Sequence, residues 1–127
     1  MNQHNGLTLA YLGDACYELL IRKHLLDQGY QKVNDLHRQA VRYTSAKGQS
    51  LIMARLLENG LSETEESIFR RGRNAEATHK PKNVNLATYH QATGFETLLG
   101  YLYLEGDQAR LEEIVRMAIS IIEEQEE

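Results

Sequence analysis

The sequence holds one cysteine, one proline and no tryptophan, and each scarcity removes a class of explanation. With Cys16 alone, no intramolecular disulfide framework exists, and no grouping of cysteine and histidine has zinc-ligand spacing. With Pro81 alone, most of the chain is free of the strongest helix breaker. No run approaches the roughly 20 apolar residues of a membrane span, and the start MNQHNG lacks the basic and then apolar layout of a secretory signal, so a cytoplasmic protein with no membrane partner is expected. Runs of β-branched residues are also rare, which takes away the main signal for strands.

What remains is helical. Apolar residues recur at helical spacing almost throughout, and Gly29, Gly60 and Gly106 fall where helices should stop. The spacing predicts an all-α fold, a single domain over residues 1–127. Its first helix should run from Leu7 to Asp27. One long helix, or two with a break near Ser45 to Gly48, should cover Val33 to Glu58. Ser62 followed by Glu65 is a capping-box start for a helix ending near Gly72. Arg73 to Leu86 reads as the one substantial loop, and helices over Thr88 to Glu105 and Asp107 to Glu124 complete the set. Cys16 reads as a small core residue, and the acids at the C-terminus as a frayed, solvated tail.

The formal net charge is −4, from 14 basic and 18 acidic residues. An acidic balance ordinarily argues against nucleic-acid binding, yet the charges are segregated. Glu123, Glu124, Glu126 and Glu127 crowd the C-terminus, whereas Arg70, Arg71, Arg73, Lys80 and Lys82 share a short segment with one acid, Glu76. A basic face on an acidic protein follows.

Two carboxylates stand in unusual company. Asp14 lies among Leu9, Ala10, Tyr11, Leu12, Ala15, Cys16 and Tyr17, and a helix apolar on nearly all sides is expected to be buried. Glu96 sits in the same kind of setting, between Phe95 and the apolar run Leu98, Leu99, Tyr101 and Leu102. An ionised carboxylate there requires a partner, a hydrogen bond or a metal. Gly13 adjoins Asp14 and Gly100 lies one turn after Glu96, so helices crossing at these glycines would turn the two acids towards each other. They could then hold a hard cation through oxygen ligands and water. The competing reading, of equal weight on physical grounds, is that each acid caps or pairs with a buried arginine or a backbone group.

These residues resemble the Mini-III branch of the ribonuclease III family, over nearly the whole chain. YLGDA at 11–15 is similar to the core of the family's signature helix and FETLLGYLYL at 95–104 to its second catalytic helix. RRGRNA at 70–75 and PKN at 81–83 resemble the intervening loop of the Mini-III form. The resemblance implies a homodimeric, helical endonuclease domain with no double-stranded-RNA-binding domain after it. Asp14 and Glu96 take the places of two catalytic, metal-binding carboxylates. Two further family carboxylates are replaced, by Ala10 and Thr93, a departure the Mini-III branch shares.

The implied activity is hydrolysis of a phosphodiester in double-stranded RNA, leaving 5′-phosphate and 3′-hydroxyl ends, with Mg2+ as cofactor and Mn2+ able to substitute. The implied substrate is the precursor of 23S ribosomal RNA, with a ribosomal protein as a candidate for presenting it. Arg70, Arg71, Arg73, Asn74, Lys80, Lys82 and Asn83 are the expected RNA contacts, since A-form duplexes offer shape, phosphates and 2′-hydroxyls. Tyr11 is expected at the dimer interface, against the competing reading of a core tyrosine. Glu18, one turn after Asp14, is a candidate for a longer-range contact with the metal, ranked below a surface or pairing acid. Two other functions compete: a catalytically silent RNA- or ribosome-binding module of the same fold, and a helical protein-interaction domain with no RNA role.

Overall fold

A computed structural model describes residues 4–75 and 85–125. It contains six helices, α1 (Gly6–Asp27), α2 (Val33–Thr44), α3 (Ala46–Glu58), α4 (Glu63–Arg73), α5 (Leu86–Leu104) and α6 (Gln108–Glu124), and no strand among the described residues. Short polar side chains set most of the starts. Asn5, Ser45, Ser62, Asn85 and Asp107 each accept a backbone N–H from the first turn that follows, which satisfies donors the helix itself cannot reach. Ser62 and Glu65 form the full capping box. Ser45 ends α2 and caps α3, so Val33 to Glu58 is two helices. Asn85 starts α5 two residues before the Thr88 start read from periodicity, because the asparagine cap outranks the apolar pattern. Gly29 and Gly106 take the left-handed φ angles of 101° and 76° that close α1 and α5.

Helix α5 is the axis of the domain. Phe95, Leu98, Leu99 and Leu102 are buried on it, and α1, α3 and α4 pack around it. The core adds Leu9, Tyr17, Ile21 and Leu25 from α1, Ile52, Met53 and Leu56 from α3, Phe69 from α4, and Leu111, Ile114, Val115 and Ala118 from α6. Tyr17 meets Phe95 edge to face at 5.1 Å, and its hydroxyl donates to the Tyr43 carbonyl at 2.9 Å, tying α1 to the end of α2. Arg110 grips Glu65 with two nitrogens at 2.7 and 2.8 Å and fastens α6 to the start of α4. Its hydrogen bonds hold the Glu65 carboxyl below the usual range.

The contact between α1 and α5 is backbone against backbone. A Cβ added at Gly13 would lie 1.8 Å from the Glu96 carbonyl oxygen, and one at Gly100 would lie 2.0 Å from that of Leu9. Helices approach this closely only where side chains are missing.

Helix α6 ends at Glu124 as expected, and one of its terminal acids departs from the expected solvated tail: the Glu123 carboxylate accepts from His24 at 2.9 Å and the Tyr43 hydroxyl at 2.8 Å. A run of like charges looks solvated in sequence because its partners lie 80 and 99 positions away. Glu126 and Glu127 lie outside the described residues. Cys16 also departs from its reading as a core residue and is only half-buried.

Because a methyl group at Gly13 would meet main chain that cannot rotate away, Gly13→Ala should cost about 3 kcal/mol, the upper end of ordinary overpacking. Ala15→Gly, at an exposed site on the same helix, should cost about 1 kcal/mol. Urea denaturation of both variants measures the difference, and equal stabilities would contradict the crossing geometry.

Candidate active site

The glycine crossing brings Asp14 and Glu96 together, one from each helix, near enough for the charge of Asp14 to act on Glu96. The two acids are not equivalent. Glu96 is largely buried, and burial, followed by the charge of Asp14 opposite, pushes its pKa up to about 8. Asp14 is exposed, contrary to the burial expected from its apolar neighbours. The outer face of α1 explains the difference. Tyr11 is 84% exposed, Leu19 69% and Leu26 57%, so one face of this apolar helix is largely open to solvent. The reading of Tyr11 as a core side chain is thereby excluded.

Gln49 completes the buried side. Its amide nitrogen donates to Glu96 Oε2 at 3.3 Å and to the Thr44 carbonyl at 3.1 Å. Sequence reading passed over this residue although a signal existed. Gln49, Ile52, Met53 and Leu56 are the buried stripe of α3, and a glutamine in such a stripe is an anomaly of the same kind as the two acids. Glu18 adds a weaker repulsion on Glu96 and lies 3.8 Å from Arg22, as a pairing acid would. At the two replaced positions, Ala10 and Thr93 are buried, and the Thr93 hydroxyl donates to the Tyr89 carbonyl of its own helix at 3.0 Å.

A divalent cation suits this pair. A largely buried carboxylate beside an exposed one is repelled by it, and a hard cation with oxygen ligands would relieve that repulsion. Among the described residues no group of three Asp, Glu, His or Cys side chains could hold a metal, so water would fill the remaining positions. A proton and a cation held there would compete for Glu96.

The basic segment is only partly described. Arg70, Arg71 and Arg73 occupy the last turn of α4 and Asn74 is its C-cap, while Lys80, Lys82 and Asn83 lie outside the described residues. Arg70 lies 3.7 Å from Glu66, Arg71 donates to the His4 carbonyl, and Arg73 lies over the Phe69 ring at 5.5 Å, so these arginines also brace the fold locally. A second basic surface was not anticipated. Arg38, Arg42 and Lys47 line a groove of about 690 Å³ with Ser45, Ser50 and Thr88. Spread over α2 and α3, these cations do not form a run in sequence.

The raised pKa of Glu96 has a stability consequence with a definite sign. From the ordinary value of 4.5 up to about 8, the folded state holds a proton that the unfolded state has released. Without metal, stability should therefore fall as pH rises through that window. Glu96→Gln removes the cost, so the metal-free variant should melt higher than the parent at pH 8 and show a flatter dependence between pH 5 and 8. Thermal denaturation in chelator across that range checks it, and a variant less stable than the parent at pH 8 would refute it.

Comparison with known proteins now bears on this geometry. Residues 7–107 match the ribonuclease III domain family. The chain is 50% identical to a Mini-ribonuclease 3 of Symbiobacterium thermophilum, over 92% of this chain and 89% of that one. It is 48% identical to a Mini-ribonuclease 3 of Enterococcus faecalis, over 98% and 96% of the two chains. A crystal structure of a Fusobacterium nucleatum protein superposes with a TM-score of 0.82 at 32% identity, covering 94% of both chains. With two carboxylates at a glycine crossing of its signature helices, the chain belongs to the Mini-III branch of the ribonuclease III family and is an endoribonuclease.

Proposed function

We propose that this protein cuts double-stranded RNA with Asp14 and Glu96 as catalytic carboxylates and Mg2+ as the cofactor they hold, Mn2+ serving in its place. One observation carries the reading. The fold presses two acids together where ionising both is unfavourable, an arrangement that costs stability and is useful for binding a cation. Bound there, Mg2+ supplies positive charge for the scissile phosphate and the leaving oxygen and lowers the pKa of a coordinated water. The side chains divide the remaining work. Glu96, largely buried and hydrogen-bonded to Gln49, is the fixed ligand. Asp14, exposed beside it, is the ligand that faces the RNA. Arg70, Arg71, Arg73 and Asn74, with Lys80, Lys82 and Asn83, hold phosphate and ribose oxygens of the duplex. The products are 5′-phosphate and 3′-hydroxyl ends.

Cutting both strands requires two sites, and a homodimer through α1 supplies them. The exposed apolar stripe of α1, with Leu7, Tyr11, Leu19 and Leu26, supports that interface. Tyr11 at its most exposed point is the side chain that enters the partner. The substrate consistent with the family is the paired stem of precursor 23S ribosomal RNA in the cytoplasm, with a ribosomal protein as the factor that presents it.

Asp14→Asn should leave the helical circular dichroism and melting cooperative while lowering cleavage of a duplex RNA at saturating Mg2+ by about 10³-fold or more, as expected when a charge acting on the transition state is lost. Cleavage at the parent rate would remove Asp14 from the mechanism. RNA binding without any cleavage by the parent protein would favour a silent binding module. Tyr11→Asp, which puts a charge into the stripe, should convert a dimer mass to a monomer mass in light scattering. A parent protein already monomeric would overturn the dimer.

A further inference from the structure

We propose that Gln49 is a positioning residue that fixes the Glu96 carboxylate for metal binding, a role resting on the reading of Asp14 and Glu96 as metal ligands. Gln49 is 2% exposed, and its amide nitrogen stands between two acceptors, the Thr44 carbonyl at 3.1 Å and Glu96 Oε2 at 3.3 Å. The orientation of this amide is forced. Turning it over would set its oxygen against the Thr44 carbonyl, which cannot donate whatever the state of Glu96. The amide therefore offers its two hydrogens to these two oxygens and leaves its own oxygen, Oε1, buried without a partner. A buried acceptor left unsatisfied is unfavourable.

The anchoring of Gln49 itself is rigid. Ser45 caps the first turn of α3 by accepting from the Gly48 N–H at 3.1 Å. A Cβ at Gly48 would lie 2.4 Å from the Arg42 carbonyl oxygen, so the start of α3 is seated directly on the last turn of α2. Tyr17 fastens the same corner by donating to the Tyr43 carbonyl. Gln49 thus relays a fixed corner, held by α1, α2 and α3, to one oxygen of Glu96. With Oε2 held by the amide, Glu96 keeps one side-chain orientation, and its other oxygen is left for Asp14 and the cation. A free glutamate would have to lose that rotational freedom each time metal bound.

Groups that hydrogen-bond a metal ligand typically contribute about 10-fold to 100-fold in metal affinity. Gln49→Met keeps the shape and removes both donors. Gln49→Asn keeps an amide in the same place and, one methylene shorter, draws its nitrogen back from Glu96. Mn2+ binding to the RNA-free protein, followed by electron paramagnetic resonance, should weaken about 10-fold in both variants. The Mg2+ concentration for half-maximal duplex cleavage should rise by a similar factor, while the rate at saturating Mg2+ falls less. A purely structural glutamine would instead lower the melting temperature and leave both metal dependences alone. Gln49→Asn that is folded and binds Mn2+ as the parent does would overturn the proposal, whatever Gln49→Met does. If the parent binds Mn2+ but does not cut RNA, the catalytic reading fails and the Mn2+ shift alone still decides the role of Gln49. A parent that binds no Mn2+ overturns both.

Discussion

Everything at the site depends on two helices touching through their main chains. A Cβ at either Gly13 or Gly100 would fall within about 2 Å of a carbonyl oxygen on the other helix, so α1 and α5 sit at the shortest separation their backbones permit. Side chains flanking such a contact have no room to diverge. Asp14, next to Gly13, and Glu96, whose carbonyl oxygen Gly13 faces, meet because the glycines allow nothing to stand between the helices. The repulsion that raises the Glu96 pKa is thus built into the fold. Packing elsewhere, in the core around Tyr17, Phe95, Leu98 and Leu99, has to hold the helices against it.

Local and periodic features were legible in the sequence because they obey short-range rules. A serine followed by a glutamate three residues on is a helix start wherever it occurs, and Ser62 with Glu65 behaves so. Glycine beside an acid in an apolar helix implied a close crossing, and the crossing is there. Two readings went astray and one residue was missed for a common reason, which is that each depends on what lies across from a residue and not beside it. Asp14 looked buried because its helix is apolar all round, but one face of α1 is largely open to solvent. Glu123 looked solvated, but His24 and Tyr43 reach it from α1 and α2. Gln49 stood out in the apolar stripe of α3, but what gives that anomaly a meaning is its neighbour Glu96, 47 positions away.

The exposure of Asp14 changes what the apolar character of α1 means. A stripe holding Leu7, Tyr11, Leu19 and Leu26 in water is unfavourable by the same physics that builds the core, so its persistence needs a use outside the fold of one chain. The stripe and the acid share a helix, and Tyr11 lies one turn before Asp14. A second subunit seated on the stripe would therefore come within a helical turn of Asp14. On the proposed reading of Asp14 as a catalytic carboxylate, assembly and catalysis would be coupled by helical geometry alone, with no relay through the core.

The number of acids also follows from burial. The family pattern of four carboxylates would place one at position 10 and one at position 93, both nearly closed to solvent here at 6% and 8% exposure. Each added charge would raise further the repulsion that Glu96 already meets from Asp14, and a metal-free protein would bear that cost throughout folding. Ala10 and Thr93 avoid it, and Thr93 spends its one polar group on its own helix. On the proposed reading of Asp14 and Glu96 as metal ligands, this smaller set would leave the remaining coordinating oxygens to water and substrate. With so few protein ligands, the orientation of each one would carry more of the affinity, and Glu96 is the one whose orientation a buried hydrogen bond constrains.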